Sequence, residues 1–102
     1  MIRHCVHLKF TAKTEAAKRS ELLGRLAALA DEIEGMSGVM MGQNASPEGL
    51  SQGFDDVFLC DFADAAARDT YLKHPKHLAT VGELVPALEG GPAGAVVVDV
   101  EG

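Results

Sequence analysis

Two segments of this chain, residues 2–10 and 54–62, alternate in side-chain character with a period of two, which only extended strands satisfy. In the first, Ile2, His4, Val6, Leu8 and Phe10 form a mostly apolar face, and Arg3, Cys5, His7 and Lys9 form a mostly polar one. In the second, Phe54, Asp56, Phe58, Cys60 and Phe62 share one face, while Asp55, Val57, Leu59 and Asp61 share the other. Both read as half-buried strands.

What lies between and after them has a different period. Thr14 stands before Glu15, Ala16 and Ala17 as a candidate N-cap with an acidic first turn. Leu22, Leu26, Leu29, Ile33 and Met36 follow at spacings of four, three, four and three, predicting a helix from near residue 15 to near 34. That stripe reads as core, not as a cofactor surface. Gly35 and Gly38 supply the stop. Val39 to Ala45 is a second, weaker strand, and the turn-forming run 46–53 is a loop. Asp64 caps a short helix from Ala65 to about Lys73, and Pro75 forces a break at His74. A second helical piece carries Leu78, Val81, Leu84, Val85 and Leu88. The Gly90–Gly94 run neither follows a strand nor opens a helix, so it is a loop and not a phosphate cradle. Ala95 to Val100 is a last strand of β-forming residues.

The order is therefore βαββαβ, an α+β arrangement with a four-stranded antiparallel sheet. Right-handed crossovers give the strand order 4-1-3-2 with both helices on one face. A chain of 102 residues has room for one core, so residues 1–102 form a single domain. The uncovered face holds Arg3, His7, Lys9, Asp55 and Asp61 but also Val57 and Leu59, a mixture too apolar to leave wet. Packing the sheets of two subunits would cover it, predicting a homodimer through the face of Arg3, Cys5, His7 and Lys9. Cys5 and Cys60 fall on opposite faces of neighbouring strands and cannot bond; Cys60 is expected to be an inert buried thiol. A net charge of −6 disfavours nucleic acid or an anionic membrane as a partner. No apolar run approaches the ~20 residues of a membrane span, and the start reads as a strand rather than a leader. A cytoplasmic location is expected.

Three motifs in order carry a family resemblance. Ile2-Arg3-His4 with Leu8-Lys9-Phe10 opens the chain. Ser46-Pro47-Glu48-Gly49-Leu50-Ser51-Gln52-Gly53-Phe54-Asp55 precedes the third strand, and Tyr71-Leu72-Lys73-His74-Pro75-Lys76-His77 lies in the helices. Over essentially its whole length the chain resembles the stress-responsive A/B barrel (Dabb) family. The resemblance implies a ferredoxin-like fold and a dimeric α/β barrel, with no cofactor. Most members of that family have no established reaction. A plant polyketide cyclase among them performs an intramolecular aldol-type closure. Its helix-motif tyrosine and second histidine carry over onto Tyr71 and His77, and its first-strand histidine onto His4. It departs where a pocket histidine corresponds to Asp56 and a helix tyrosine to Leu26.

The expected site is a pocket between sheet and helices. His4, Asp56, Tyr71 and His77 are its polar residues, and Val6, Leu26, Phe58 and Leu84 its apolar walls. A carboxylate beside His4 would fix its tautomer and raise its basicity, His77 would be the general base, and Tyr71 could hold a developing oxyanion. A structural reading stands beside this one: His77 caps the break after Pro75, and Asp56 satisfies His4. His74 reads as a surface residue and His7 as a subunit contact. The His74/His77 pair spans a broken helix and lacks a third ligand, so no metal site is expected. Two functional classes follow. One is a dimer that binds a small hydrophobic or acyl ligand without reaction. The other is a cofactor-independent, polyketide-cyclase-like enzyme or isomerase. The related antibiotic-biosynthesis monooxygenase group fits less well, because the chain has no tryptophan to stack on an aromatic substrate.

Overall fold

The computed structural model describes residues 1–102. The order is β1 (Ile2–Leu8), α1 (Ala16–Ala28), β2 (Met36–Gln43), β3 (Asp56–Phe62), α2 (Ala65–Lys73), α3 (Pro75–Leu84) and β4 (Ala95–Glu101), with 3-10 turns at Leu29–Asp31, Val85–Ala87 and Gly91–Gly94. The sheet runs β2-β3-β1-β4, antiparallel throughout, which is the predicted 4-1-3-2 order.

The elements differ from the sequence reading mostly at their ends. β1 stops at Leu8, and Phe10 stays buried through an isolated bridge to Leu88. Thr14 is not the cap of α1. Its hydroxyl donates to the Ala87 carbonyl at 3.1 Å, and Glu15 takes the cap position without a side-chain bond. The helix ends at Ala28 instead of near 34, yet Leu29, Ile33 and Met36 are all buried. A 3-10 turn and a bend at Gly35 deliver them to the same core. Gly35 adopts φ +89, and a Cβ there would stand 3.0 Å from that of Ala67, so both the turn and the close approach of α2 require glycine. The second strand accordingly begins at Met36, three residues before the predicted start, with a register shift between Ser37 and Met40. Asp64 caps α2 as expected, accepting from the Ala67 amide at 2.9 Å. Pro75 opens α3 as its first residue, where a missing amide hydrogen costs nothing.

The core lies between the helices and the two central strands. Val6 and Phe58 face each other across β1 and β3. Leu22 and Leu26 come down on them from α1, Leu29 from the 3-10 turn after it, and Tyr71 and Leu84 from α2 and α3. Phe58, Phe62 and Leu22 are fully excluded from solvent. Removing a ring at such a position typically costs about 3–5 kcal/mol.

The other face has no helix. Val96, Val98 and Val100 on β4 stand opposite His7, Cys5 and Arg3 on β1, so all six side chains share that face with Val57, Leu59 and Met40. The valines are 42–56 % exposed and Met40 is 70 % exposed. Arg3 binds Asp61 through two parallel bonds of 2.8 and 3.1 Å, which hold the Asp61 carboxyl below its ordinary range.

Cys5 and Cys60 are both free, and the register puts them on opposite faces. Burial, with Asp61 and Asp99 nearby, pushes the Cys60 thiol up to about 12. Without reductant, alkylation in denaturant should therefore label two thiols, and alkylation of the folded chain should leave Cys60 untouched. Intact mass reads both results; a mass two units low with no label in denaturant would overturn the register.

Candidate functional site

Tyr71 is the centre of the only aromatic cluster that joins sheet to helices. It is buried on the inner face of α2 because its position puts it over β1 and β3. Its ring centroid lies 5.2 Å from Phe62, 5.8 Å from His4 and 4.5 Å from His77. Three of the four expected polar residues are therefore together. Burial, with Cys60 adding to it, raises the Tyr71 phenol above its ordinary range, so it stays a protonated donor.

Asp56 is not with them. Antiparallel pairing sets His4 opposite Cys60 and Leu8 opposite Asp56, so the carboxylate sits four residues further along the strand. At the rise of a strand that is about 13 Å. Both residues do face the helices, but sharing a face does not make them neighbours. The carboxylate on His4 is Asp99 instead, its direct cross-strand partner on β4, at 2.6 Å from Nδ1. A carboxylate only accepts, so Nδ1 carries the proton and Nε2 is left free. Arg68 from α2 holds the other Asp99 oxygen at 3.3 Å. The sequence did carry a signal for Asp99: it is the one acid in a valine-rich strand that the predicted order lays beside β1.

His77 sits on the first turn of α3, half-buried, and its Nδ1 is the one buried side-chain nitrogen or oxygen without a hydrogen-bond partner. Burial lowers its pKa below 6.5, the nearby His4 adds to this, and the Leu72 carbonyl works the other way. The imidazole is neutral at pH 7. His77 does not cap the break. His74 does, with its Nδ1 accepting from the Lys76 amide at 3.1 Å, and it is part-buried rather than free on the surface.

The expected apolar walls Val6, Leu26, Phe58 and Leu84 are all buried in the core. None of the five main clefts is lined by these four residues or by His4, Tyr71 or His77. His7 lies elsewhere, lining a cleft of about 500 Å³ between the open sheet face and the loop of Leu50 and Phe54. No helix is long and apolar enough to cross a membrane.

Comparison with known proteins follows the same architecture. The sequence pattern described as Stress Responsive A/B Barrel Domain matches residues 2–101. A stress-response A/B barrel domain-containing protein of Arabidopsis thaliana is 30% identical over 77 residues, which are 76% of this chain and 71% of that protein. A dimeric ferredoxin-like protein of unknown function from Jannaschia superposes with a TM-score of 0.92 at 34% identity, covering 99% of this chain and 98% of that one. A hydroxynitrile lyase from Passiflora edulis shares the fold, with a TM-score of 0.83 at 20% identity over 97% and 90% of the two chains.

If Asp99 is the partner of His4, Asp99→Ala strands a buried imidazole N–H and should lower stability by about 1–3 kcal/mol. Imidazole NMR should show the His4 signals shifting in that variant and unmoved in Asp56→Ala. The opposite pattern would assign the carboxylates the other way round.

Proposed function

Because this chain belongs to the stress-responsive A/B barrel domain family, we propose that it is a homodimer closed over the open sheet face and that it binds a small hydrophobic or acyl molecule against Tyr71 and His77. The observation that carries the ligand is the unpartnered Nδ1 of His77. A buried polar atom without a bond costs about 1–3 kcal/mol, and a fold keeps one where something else completes it. A ligand hydroxyl would donate to that nitrogen and a ligand carbonyl would accept from the Tyr71 phenol, with the apolar part of the molecule against the core residues behind them. No main cleft leads to these two residues, and a movement of α3 would admit the molecule. The joint between α2 and α3 at His74–Pro75, where His74 is extended, is the place for it.

The dimer rests on the open face itself. Val96, Val98, Val100 and Met40 are too many exposed apolar side chains for one face of a small domain. The Jannaschia relative, 34% identical, is described as dimeric. Packing two such faces forms the barrel.

A second reading, catalysis, is favoured by one specific observation. A neutral imidazole and a protonated phenol stand 4.5 Å apart, ring to ring, and His4 is oriented from behind by Asp99. That set suits removal of a proton next to a carbonyl, with His77 as base and Tyr71 holding the oxyanion, as in a cofactor-independent cyclase or isomerase. Its substrate would be a β-keto or polyketide-like acyl compound.

Sedimentation at micromolar concentration should give twice the 10.7 kDa chain mass, and Val98→Asp should return it to the monomer. A monomeric parent would remove the interface.

For the site, a simple acyl thioester in D2O separates the two readings. Binding alone perturbs the Tyr71 and His77 signals without speeding α-proton exchange. Catalysis speeds exchange, and His77→Ala should lose about 10²–10⁴-fold. The working form is the neutral imidazole and its pKa is lowered. The rate should therefore rise with pH below 6.5 and be flat above it. No shift and no exchange, at any pH, would remove the site.

A further inference from the structure

Asp56, released from the role expected beside His4, has a setting of its own. Its side chain is only 12 % exposed, and its nearest cation is Arg19 of α1, with Nη1 4.0 Å from Oδ2. That is too long for a hydrogen bond. Its neighbour Asp55 accepts from Ser51 at 2.6 Å and Asn44 at 3.3 Å, both at Oδ1, while Asp56 accepts from no side chain. Two clefts open on the Arg19–Asp56 pair. One, of about 410 Å³, runs between α1 and the edge of β2, past Leu23, Met41 and Gln43; the other, of about 490 Å³, runs towards Phe10 and Asn44. Ala16 and Gly42 line the first one, Ala16 with a side chain of a single carbon.

We propose that this groove is a binding site for a neutral hydroxyl compound, a small alcohol or phenol, whose hydroxyl bridges Asp56 and Arg19 while its apolar body lies along Leu23 and Met41. The pair selects the class. A carboxylate entering between them meets the Asp56 charge, and an ammonium meets the Arg19 charge. A hydroxyl alone donates to one and accepts from the other, and an oxygen about 2.8 Å from each fits across a gap of 4.0 Å. Leu23 is buried and Met41 is 45 % exposed, which supplies an apolar wall that water does not use. The site is distinct from the Tyr71–His77 cluster, which lies along the sheet on the far side of the Val6–Phe58 pair.

The probe is para-cresol, with toluene, para-toluate and para-methylbenzylamine as its apolar, anionic and cationic counterparts. Titration followed by amide NMR should move Arg19, Gly42, Gln43 and Asp56 with para-cresol, and each counterpart should bind at least about tenfold more weakly, the worth of a hydrogen bond to a charged group. Asp56→Ala and Arg19→Gln should each cost para-cresol a similar factor, with thermal unfolding and the amide spectrum showing both variants folded. His77→Ala should leave its affinity unchanged, so failure here and failure of the Tyr71–His77 site are read separately. Equal binding by toluene, shifts that map to another cleft, or no binding at millimolar para-cresol would each overturn the proposal.

Discussion

The pairing of β1 with β3, centred on Val6 opposite Phe58, fixes everything else in this molecule. The two strands lie side by side in the middle of the sheet and alternate in phase. Every odd position of β1 faces away from the helices, as does its partner on β3, and every even position faces them. A slip of one residue would move Phe58 and Phe62 to the open side and Asp61 into the core, at a cost no surface contact could offset. The register is thus set by burial. From it follow the separation of the two thiols, the Arg3–Asp61 ion pair on the outer face and the position of His4 under Tyr71.

Tyr71 depends on that register and in turn organises the helix side. It reaches the sheet because Asp64 starts α2 at a defined residue and Gly35 lets the helix approach closely. Its neighbours come from separate parts of the chain, with Phe62 and His4 from the sheet and His77 from the next helix. Pro75 ends one helix and begins another, so His77 lies on a first turn and its ring is brought back towards the one before it. The chemistry of the cluster, a neutral imidazole beside a protonated phenol, is a consequence of burial acting on both.

Periodicity made the element order, the strand order and the inward-facing residues legible, because each rests on burial, and burial writes itself into apolar spacing. It did not carry the ends of α1 or β2. The stripe Leu29, Ile33, Met36 continues at helical spacing although the chain has left the helix, since a 3-10 turn can deliver the same side chains to the same core. Polar partnerships were the least legible. Face and neighbouring strand were right for Asp56, but the exact register decides contact, and pattern alone does not give it. Asp99 is legible by the same reasoning, as the one acid of the predicted strand on the other side of β1. His74, which reads as a surface residue, is an N-cap: an imidazole nitrogen can accept an amide hydrogen as a hydroxyl or carboxylate does.

The remaining features come from incomplete cover of the sheet. The helices seat over β1 and β3, and both edges stay bare on the inner side. On β4, Val97 points to the helix side yet is 56 % exposed; on β2, Met41 does the same at 45 %. The outer face has no cover at all. An isolated domain of this size therefore keeps apolar surface in three places, and each has a different remedy. The outer face is flat and broad, suited to a second copy of itself. The β4 edge is narrow, and Asp99 and Arg68 place charge beside it. The β2 edge is concave, because α1 overhangs it, and a concave apolar edge with an uncommitted carboxylate on its floor is suited to a small molecule.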